Sequence, residues 1–363
     1  MSAIAIIEAK RLVRARMALT LLLLVPVFQI ILFGYAIRPG DATVRISVAA
    51  PTQQDARDVV AALRKLPSVI VVDPVVAAGA ADAAVRNGDA TIGIEVPRMR
   101  SMADPTAPGG PIRIIVDATD PLLTMATIAR IESAYHADRV SRSDMADAGP
   151  GLHIERLFNP DARSDWTYAP ALAGVTVMIA MVMLGSIGIA REREGGSWET
   201  FRSLPVSPAE LIAGKLAPHV LIGTLQGLLV LVTARLLFAL PLPAATVALV
   251  LLLPFFSAAH YLIGFVISAR ATTQLSALQG AVAFYLPAML LSGFLYPFET
   301  LPHWAQIIGN IFPLSHFIRA AHDAVLRERD FISVLGHGVP MIAFLAVVLL
   351  LALWACRKQS SDL

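Results

Sequence analysis

The chain has 363 residues, 56% of them hydrophobic and 15% charged, with a mean hydropathy of +0.67. Soluble domains carry about 25% charged residues, so a value this low means that much of the surface faces lipid. The formal net charge of +2 is too small to point to a nucleic-acid partner, and the single cysteine, Cys356, excludes a disulfide within the chain.

Residues 1–16 carry Lys10, Arg11, Arg14 and Arg16 and read as a cytoplasmic interfacial helix. The apolar run that follows, 17–36, is 20 residues long. A signal peptide's apolar region is about 7–15 residues, so this run reads as a retained anchor and first transmembrane helix. A membrane helix needs about 20 mainly apolar residues, because the hydrocarbon core is about 30 Å thick and each residue rises 1.5 Å. Five more segments meet that requirement, at 170–190, 216–239, 244–268, 275–296 and 337–356. The expected fold is therefore an α-helical polytopic membrane protein with six transmembrane helices. Five of them lie in the region 170–356, and a short tail, 357–363, follows.

Residues 37–169 differ in character, with Asp, Arg, Pro and Gly throughout. The runs 44–50, 69–72, 91–96 and 112–117 are rich in β-branched residues and read as strands. Helical spacing marks 53–66 and 122–142, and 100–111 reads as a Pro- and Gly-rich loop. Strands alternating with helices predict an inserted α/β domain. With the N-terminus inside, eleven Lys and Arg residues, from Lys10 to Lys358, fall on cytoplasmic flanks and loops. Three (Arg319, Arg327 and Arg329) fall in the outer segment 297–336. The positive-inside rule then makes both termini cytoplasmic and the α/β domain extracytoplasmic. Pro297, Pro302 and Pro313 break 297–336 into pieces too short to span. It reads as two short re-entrant helices dipping into the outer leaflet, with a surface loop as the alternative.

The connection 191–215 is built rather than slack. Gly195 and Gly196 break the preceding helix, and Ser197 caps a short helix through Glu199. Ser207, with Pro208 at the first helical position and Glu210 at the third, has the capping-box pattern. Such a short charged helix fits a groove in a cytoplasmic partner; equally, its charges can serve only to set topology. The chain has no phosphate loop, since Gly214-Lys215 is followed by Leu216 and lacks the upstream glycine. Energy must then come from another chain or an ion gradient. Gln226, His260, Gln279 and Ser292 are the polar candidates for a substrate path, with His260 equally suited to a structural interhelix bond. Arg235 is expected to snorkel, and Asp117 and Asp120 read as turn formers beside Pro121. No catalytic, cofactor or metal motif is present.

The stretch EREGGSWETFRSLPVSPAELIAGK resembles the signature loop of type-2 ATP-binding-cassette (ABC) exporter permeases. LLSGFLYPFETLPHW at 290–304 and FPLSHFIRAAHDAVL at 312–326 are similar to that family's segments after the fifth span. Gly-Gly-Ser at 195–197 departs from the expected Gly-Thr but keeps the hydroxyl. The architecture matches the long form of the family, with its external domain after the first span. The resemblance implies that 191–214 couples the spans to a cytoplasmic ABC ATPase subunit, which binds the ATP. The implied coupling residues are Arg191, Glu192, Arg193, Glu194, Gly195, Gly196, Ser197, Glu199, Arg202 and Lys215. Among these, the three glutamates would be contact or pivot positions and the three arginines their ion-pairing neighbours. It further implies a bacterial inner-membrane exporter of an apolar or amphipathic substrate, with no ATPase site of its own. A second permease copy or a similar permease would be its partner, and a periplasmic adaptor is a further candidate. Two alternatives stay open. An ion-coupled secondary transporter wants paired ionisable groups deep in the spans, and a membrane-anchored sensor or scaffold suits fewer spans.

Overall fold

The computed structural model describes residues 44–63, 69–75, 77–97, 111–119, 127–133, 135, 152–161, 163–196 and 207–361. The chain divides into two units, one of residues 38–167 and one of 1–37 with 168–363. The expected interfacial helix 1–16, the first span 17–36 and, apart from Pro111, the loop 100–111 lie outside the described residues.

In the first unit, β1 (Val44–Ala49), β2 (Val69–Val75), β3 (Ile92–Glu95), β4 (Ile112–Asp117) and β5 (Leu152–Leu157) form one sheet in the order β2-β1-β3-β4-β5. β1 runs parallel to β2 and β3, with Val44 opposite Val69 and Ile46 opposite Ile92. β3 and β4 are antiparallel, and β4 and β5 parallel. Parallel neighbours need a crossover, and α1 (Gln53–Leu63) and α2 (Ala80–Asn87) supply two of them. The period of two along each strand puts Ile46, Val48, Ile92, Ile94, Ile114 and Val116 in one core. Val60 of α1, with Ile128 and Ile131 from the helical residues 127–133, completes it. On the other face Ile115 and Leu157 pack with Val85 of α2. Gly93 lets α2 press on the sheet, because a Cβ there would stand 2.6 Å from the Ala81 carbonyl oxygen. The expected strand 112–117 is found with those bounds, whereas α2 and β5 were not foreseen.

The second unit is helical: α3 (Ser164–Glu194), α4 (Pro208–Phe238), α5 (Thr246–Arg270), α6 (Gln274–Leu290), α7 (His303–Gly309), α8 (Pro313–Val325), α9 (Phe331–Gly336) and α10 (Gly338–Ser361). Among the described residues four stretches are long and apolar enough to cross a membrane, namely α3, α4, α5 and the run Phe331–Arg357 through α9 and α10. The chain is thus a multi-pass membrane protein. The run expected at 275–296 forms a helix of only 17 residues, α6. It stops because the chain turns at Ser292 and Gly293, the latter at a φ of 88° that favours glycine. Where two short helices were expected in 297–336, there are a 3-10 turn at Phe298–Thr300 and the three helices α7, α8 and α9. Pro302 caps α7 and Pro313 opens α8, so the prolines divide the segment as their chemistry requires.

α5 is the hub and is buried along most of its length. It crosses α3 at two glycines. A Cβ on Gly185 would lie 2.2 Å from the Tyr261 carbonyl oxygen, and one on Gly264 2.2 Å from that of Val182. In α4, Gly223 and Gly227 instead make room for the side chains of Ser257 and Leu253 of α5. Between helices in lipid there is no hydrophobic gain, so small residues that admit close backbone approach replace it. α4 and α10 instead expose apolar faces, including Leu229, Leu236, Leu350 and Trp354.

Candidate functional site

α3 ends where its sequence says it should. The Gly195 N–H bonds the Arg191 carbonyl at 3.0 Å, and Gly196 takes a φ of 70°. α4 opens with the full capping box. The Glu210 N–H donates to Ser207 Oγ at 3.3 Å, and the Ser207 N–H donates to Glu210 Oε2 at 2.8 Å. Between these ends, Lys215 Nζ of α4 makes a close ion pair with Glu192 Oε1 of α3. His219 Nδ1, one turn further on, donates to the Lys215 carbonyl at 2.6 Å, and its ring stacks on Tyr261 of α5 with centroids 4.4 Å apart.

The end of α3 also holds the corner between α5 and α6. The Ile189 and Ala190 N–H groups donate to Ser268 Oγ at 3.0 and 2.9 Å. Arg193 Nη1 donates to the Ala271 carbonyl at 3.0 Å. Gln274, the first residue of α6, donates its main-chain N–H to Glu194 Oε1 at 2.9 Å and its side-chain amide to Oε2 at 2.6 Å. Ala190, Ala271 and Ala277 are buried against one another beneath these bonds. A cleft of about 830 Å³ opens beside them, lined by Ile187, Arg191, Glu192, Lys215 and Tyr261 among others.

Of the ten residues expected to couple, Glu192, Arg193, Glu194, Gly195, Gly196 and Lys215 therefore converge, and Arg191 lines the cleft. Ser197, Glu199 and Arg202 lie outside the described residues. The four residues expected on a substrate path sit on separate elements. Gln226 of α4 reaches the Thr176 carbonyl of α3 at 3.5 Å, and Gln279 lies half-buried on α6. His260 is wholly buried in α5, where its Nδ1 donates to the Phe256 carbonyl at 2.8 Å and its Nε2 has no partner among the described residues. Ser292 bonds within its own turn, donating to the Met289 carbonyl at 2.8 Å. Arg235 lies exposed near the end of α4, where its Nη1 donates to the Leu240 carbonyl at 3.0 Å and closes the helix. Asp117 does form a turn, accepting from the Thr119 N–H at 3.0 Å.

Sequence reasoning missed Ser268, Ala271 and Gln274, which lie 78 to 80 residues from their partners. It also missed Asp323 of α8, whose carboxylate accepts from Arg327 at 3.0 Å and His337 at 2.9 Å. Burial pushes that carboxyl up, but the hydrogen bond from His337 and the Arg327 charge outweigh it and hold it below the ordinary carboxylate range. No group of three or more His, Cys, Asp or Glu side chains forms a metal site among the described residues.

A family model described as ABC-2 family transporter protein matches residues 17–354. The chain belongs to that family. Within it, the probable multidrug ABC transporter permease YbhR of Escherichia coli K12 is 26% identical over 195 residues. That match covers 54% of this chain and 53% of YbhR, so the chain spans about half the length of that relative. The probable multidrug ABC transporter permease YbhS of the same strain is 22% identical over 364 residues, 96% of this chain and 92% of that protein. The linearmycin resistance permease protein LnrN of Bacillus subtilis is 27% identical over 193 residues, covering 52% of this chain and 49% of LnrN.

Proposed function

We propose that this chain is the permease subunit of an ABC exporter, moving an apolar or amphipathic substrate outward with ATP hydrolysed by a separate cytoplasmic subunit. The observation that carries this reading is the family match over 17–354 in a chain without a phosphate loop. The names of YbhR and LnrN, multidrug and linearmycin resistance permeases, favour efflux of small amphiphiles. Six spans, cytoplasmic termini in the inner membrane and an extracytoplasmic sheet unit complete the proposal. A second permease, identical or similar, and an ATPase seated on 191–215 are its partners, and an adaptor would sit on the sheet unit. Gln226, His260, Gln279 and Ser292 line the substrate path. The knitted ends of α3, α4 and α6 support the coupling role of 191–215, because a connection that transmits force has to be stiff.

The decisive experiment is biochemical. Purified alone, the chain should neither bind nor hydrolyse ATP; co-expressed with a cytoplasmic ABC ATPase encoded beside it, where its genome carries one, it should co-purify with it and show hydrolysis. ATP hydrolysis by a preparation free of any other protein would refute the division of labour.

A further inference from the structure

We infer that Glu194 is a positioning residue that latches the end of α3 to the start of α6, so that the 271–274 corner moves as part of the coupling element. This rests on the reading of 191–215 as that element. The latch is specific in its chemistry. The first N–H groups of a helix have no partner within it, and Gln274 presents one of them to a carboxylate. The positive end of the helix favours that negative charge. The second oxygen takes the side-chain amide of the same residue, so the carboxylate is held at two points and its orientation is fixed. Arg193 and Ser268 add two more ties, to the last turn of α5 and the residue after it.

The helix ends immediately beyond, where Gly196 takes a φ of 70° and its N–H bonds the Arg193 carbonyl at 3.2 Å. The chain is thus clamped up to the turn that closes α3. On the other side, the ion pair of Glu192 with Lys215 joins the same turn of α3 to α4. A push on the connection therefore reaches three helices at once, and Glu194 delivers it to α6. Of the two roles implied by family resemblance, contact or pivot, this geometry favours the pivot. The carboxylate is already engaged within the chain, so its removal should spare ATPase binding and sever transmission.

The test uses the full permease–ATPase complex in lipid, with Leu278→Cys on α6 as reporter in a Cys356→Ser background. The rate of thiol labelling at 278 is read with and without a non-hydrolysable ATP analogue. In the otherwise native chain the analogue should change that rate by about fivefold or more, the low end of ordinary coupling between two sites. Glu194→Ala and Gln274→Ala should each abolish the nucleotide effect and co-purify the ATPase at the native ratio. The double variant should be no worse than either single, since both remove one contact. Glu194→Gln keeps an acceptor for the main-chain N–H and should retain part of the effect. An undiminished nucleotide response in Glu194→Ala would overturn the latch, as would no response at 278 in the native chain. Loss of the ATPase from Glu194→Ala but not from Gln274→Ala would make Glu194 a contact residue instead. If no ATPase co-purifies with the native chain, the exporter reading itself fails, and the latch fails with it.

Discussion

The two units differ more in what they expose than in how closely their backbones approach. The sheet unit is built around the wholly buried aliphatic side chains of Ile46, Ile92 and Ile114, with a close approach at Gly93. The helical unit crosses at Gly185 and Gly264 and also buries Phe256, Tyr261 and Phe265. Exposure separates the two. Among the described residues the sheet unit exposes one large hydrophobic side chain, Ile70, whereas α4 and α10 expose whole faces of them. A chain folding in water gains by removing large apolar side chains from it, about 25 cal/mol per Å². A helix already in lipid gains nothing that way and must rely on backbone proximity. Substitutions at the glycine crossing and in the aliphatic core therefore test different forces.

The largest expected effect follows from the glycine crossing. Gly264→Ala places a methyl group 2.2 Å from a backbone oxygen that α3 cannot withdraw without moving as a whole. A destabilisation of at least about 4 kcal/mol is expected, in the range reserved for named structural failures. Size-exclusion chromatography in detergent should show loss of the folded species. Gly214→Ala, in the same unit but with nothing within 4 Å, is the control and should run as the native chain does. A well-folded Gly264→Ala protein would mean that α3 and α5 do not cross as closely as described.

Next comes the aliphatic core of the other unit. Residues 38–167, expressed alone, are expected to unfold cooperatively in urea, because the core cluster there is drawn from that unit. Ile46→Ala should lower the stability of this fragment by about 2–5 kcal/mol, the usual cost of emptying a buried aliphatic site. A non-cooperative fragment, or an Ile46→Ala variant as stable as its parent, would remove the contrast between the units.

These two packing modes were not equally legible. Strands announced themselves through β-branched runs, and β4 was readable to the residue at Ile112–Asp117. β5 carried the same kind of signal, since Leu152 and Ile154 alternate with polar neighbours, but the alternation is short and interrupted by charge. The alanine-rich α2 is only eight residues long and buries just Ala81 and Val85, so its helical signal is short. Hydropathy locates the long spans but not their ends, and α6 stops early because a turn at Ser292 and Gly293 overrides an apolar run. Around 191–215 the glycine break and the Ser207 capping box with Pro208 could be read. The contacts of Glu194 and Arg193 could not, because nothing in a single sequence reports on a partner about 80 residues away. Thr273 and Ser276 do form a capping box that marks where α6 begins, though not what meets it there.

The smallest expected effect belongs to the most conspicuous electrostatic feature of the sheet unit. Arg113 on β4 bridges Glu95 on β3 at 3.2 Å and Glu155 on β5 at 2.6 Å. Its hydrogen bond to Glu155 raises the affinity of the guanidinium for its proton, with the two carboxylate charges adding to it. Two ion pairs across three strands look like a staple. Yet the Arg113 side chain is 44% exposed and that of Glu155 35%, so water solvates both partners in either state. Exposed pairs of this kind contribute about 0–1 kcal/mol. Arg113→Ala should therefore lower the stability of the 38–167 fragment by less than about 1 kcal/mol, well below the effect of Ile46→Ala. The difference should shrink further in about 1 M salt, where the Debye length falls to about 3 Å. Glu95 is the more enclosed partner at 15% exposure, and its Oε1 has no partner among the described residues. Whatever cost appears should come from leaving that carboxylate unpaired, so Glu95→Gln combined with Arg113→Ala should recover part of it. A loss as large as that of Ile46→Ala, insensitive to salt, would mean that the sheet unit depends on its charges as much as on its core.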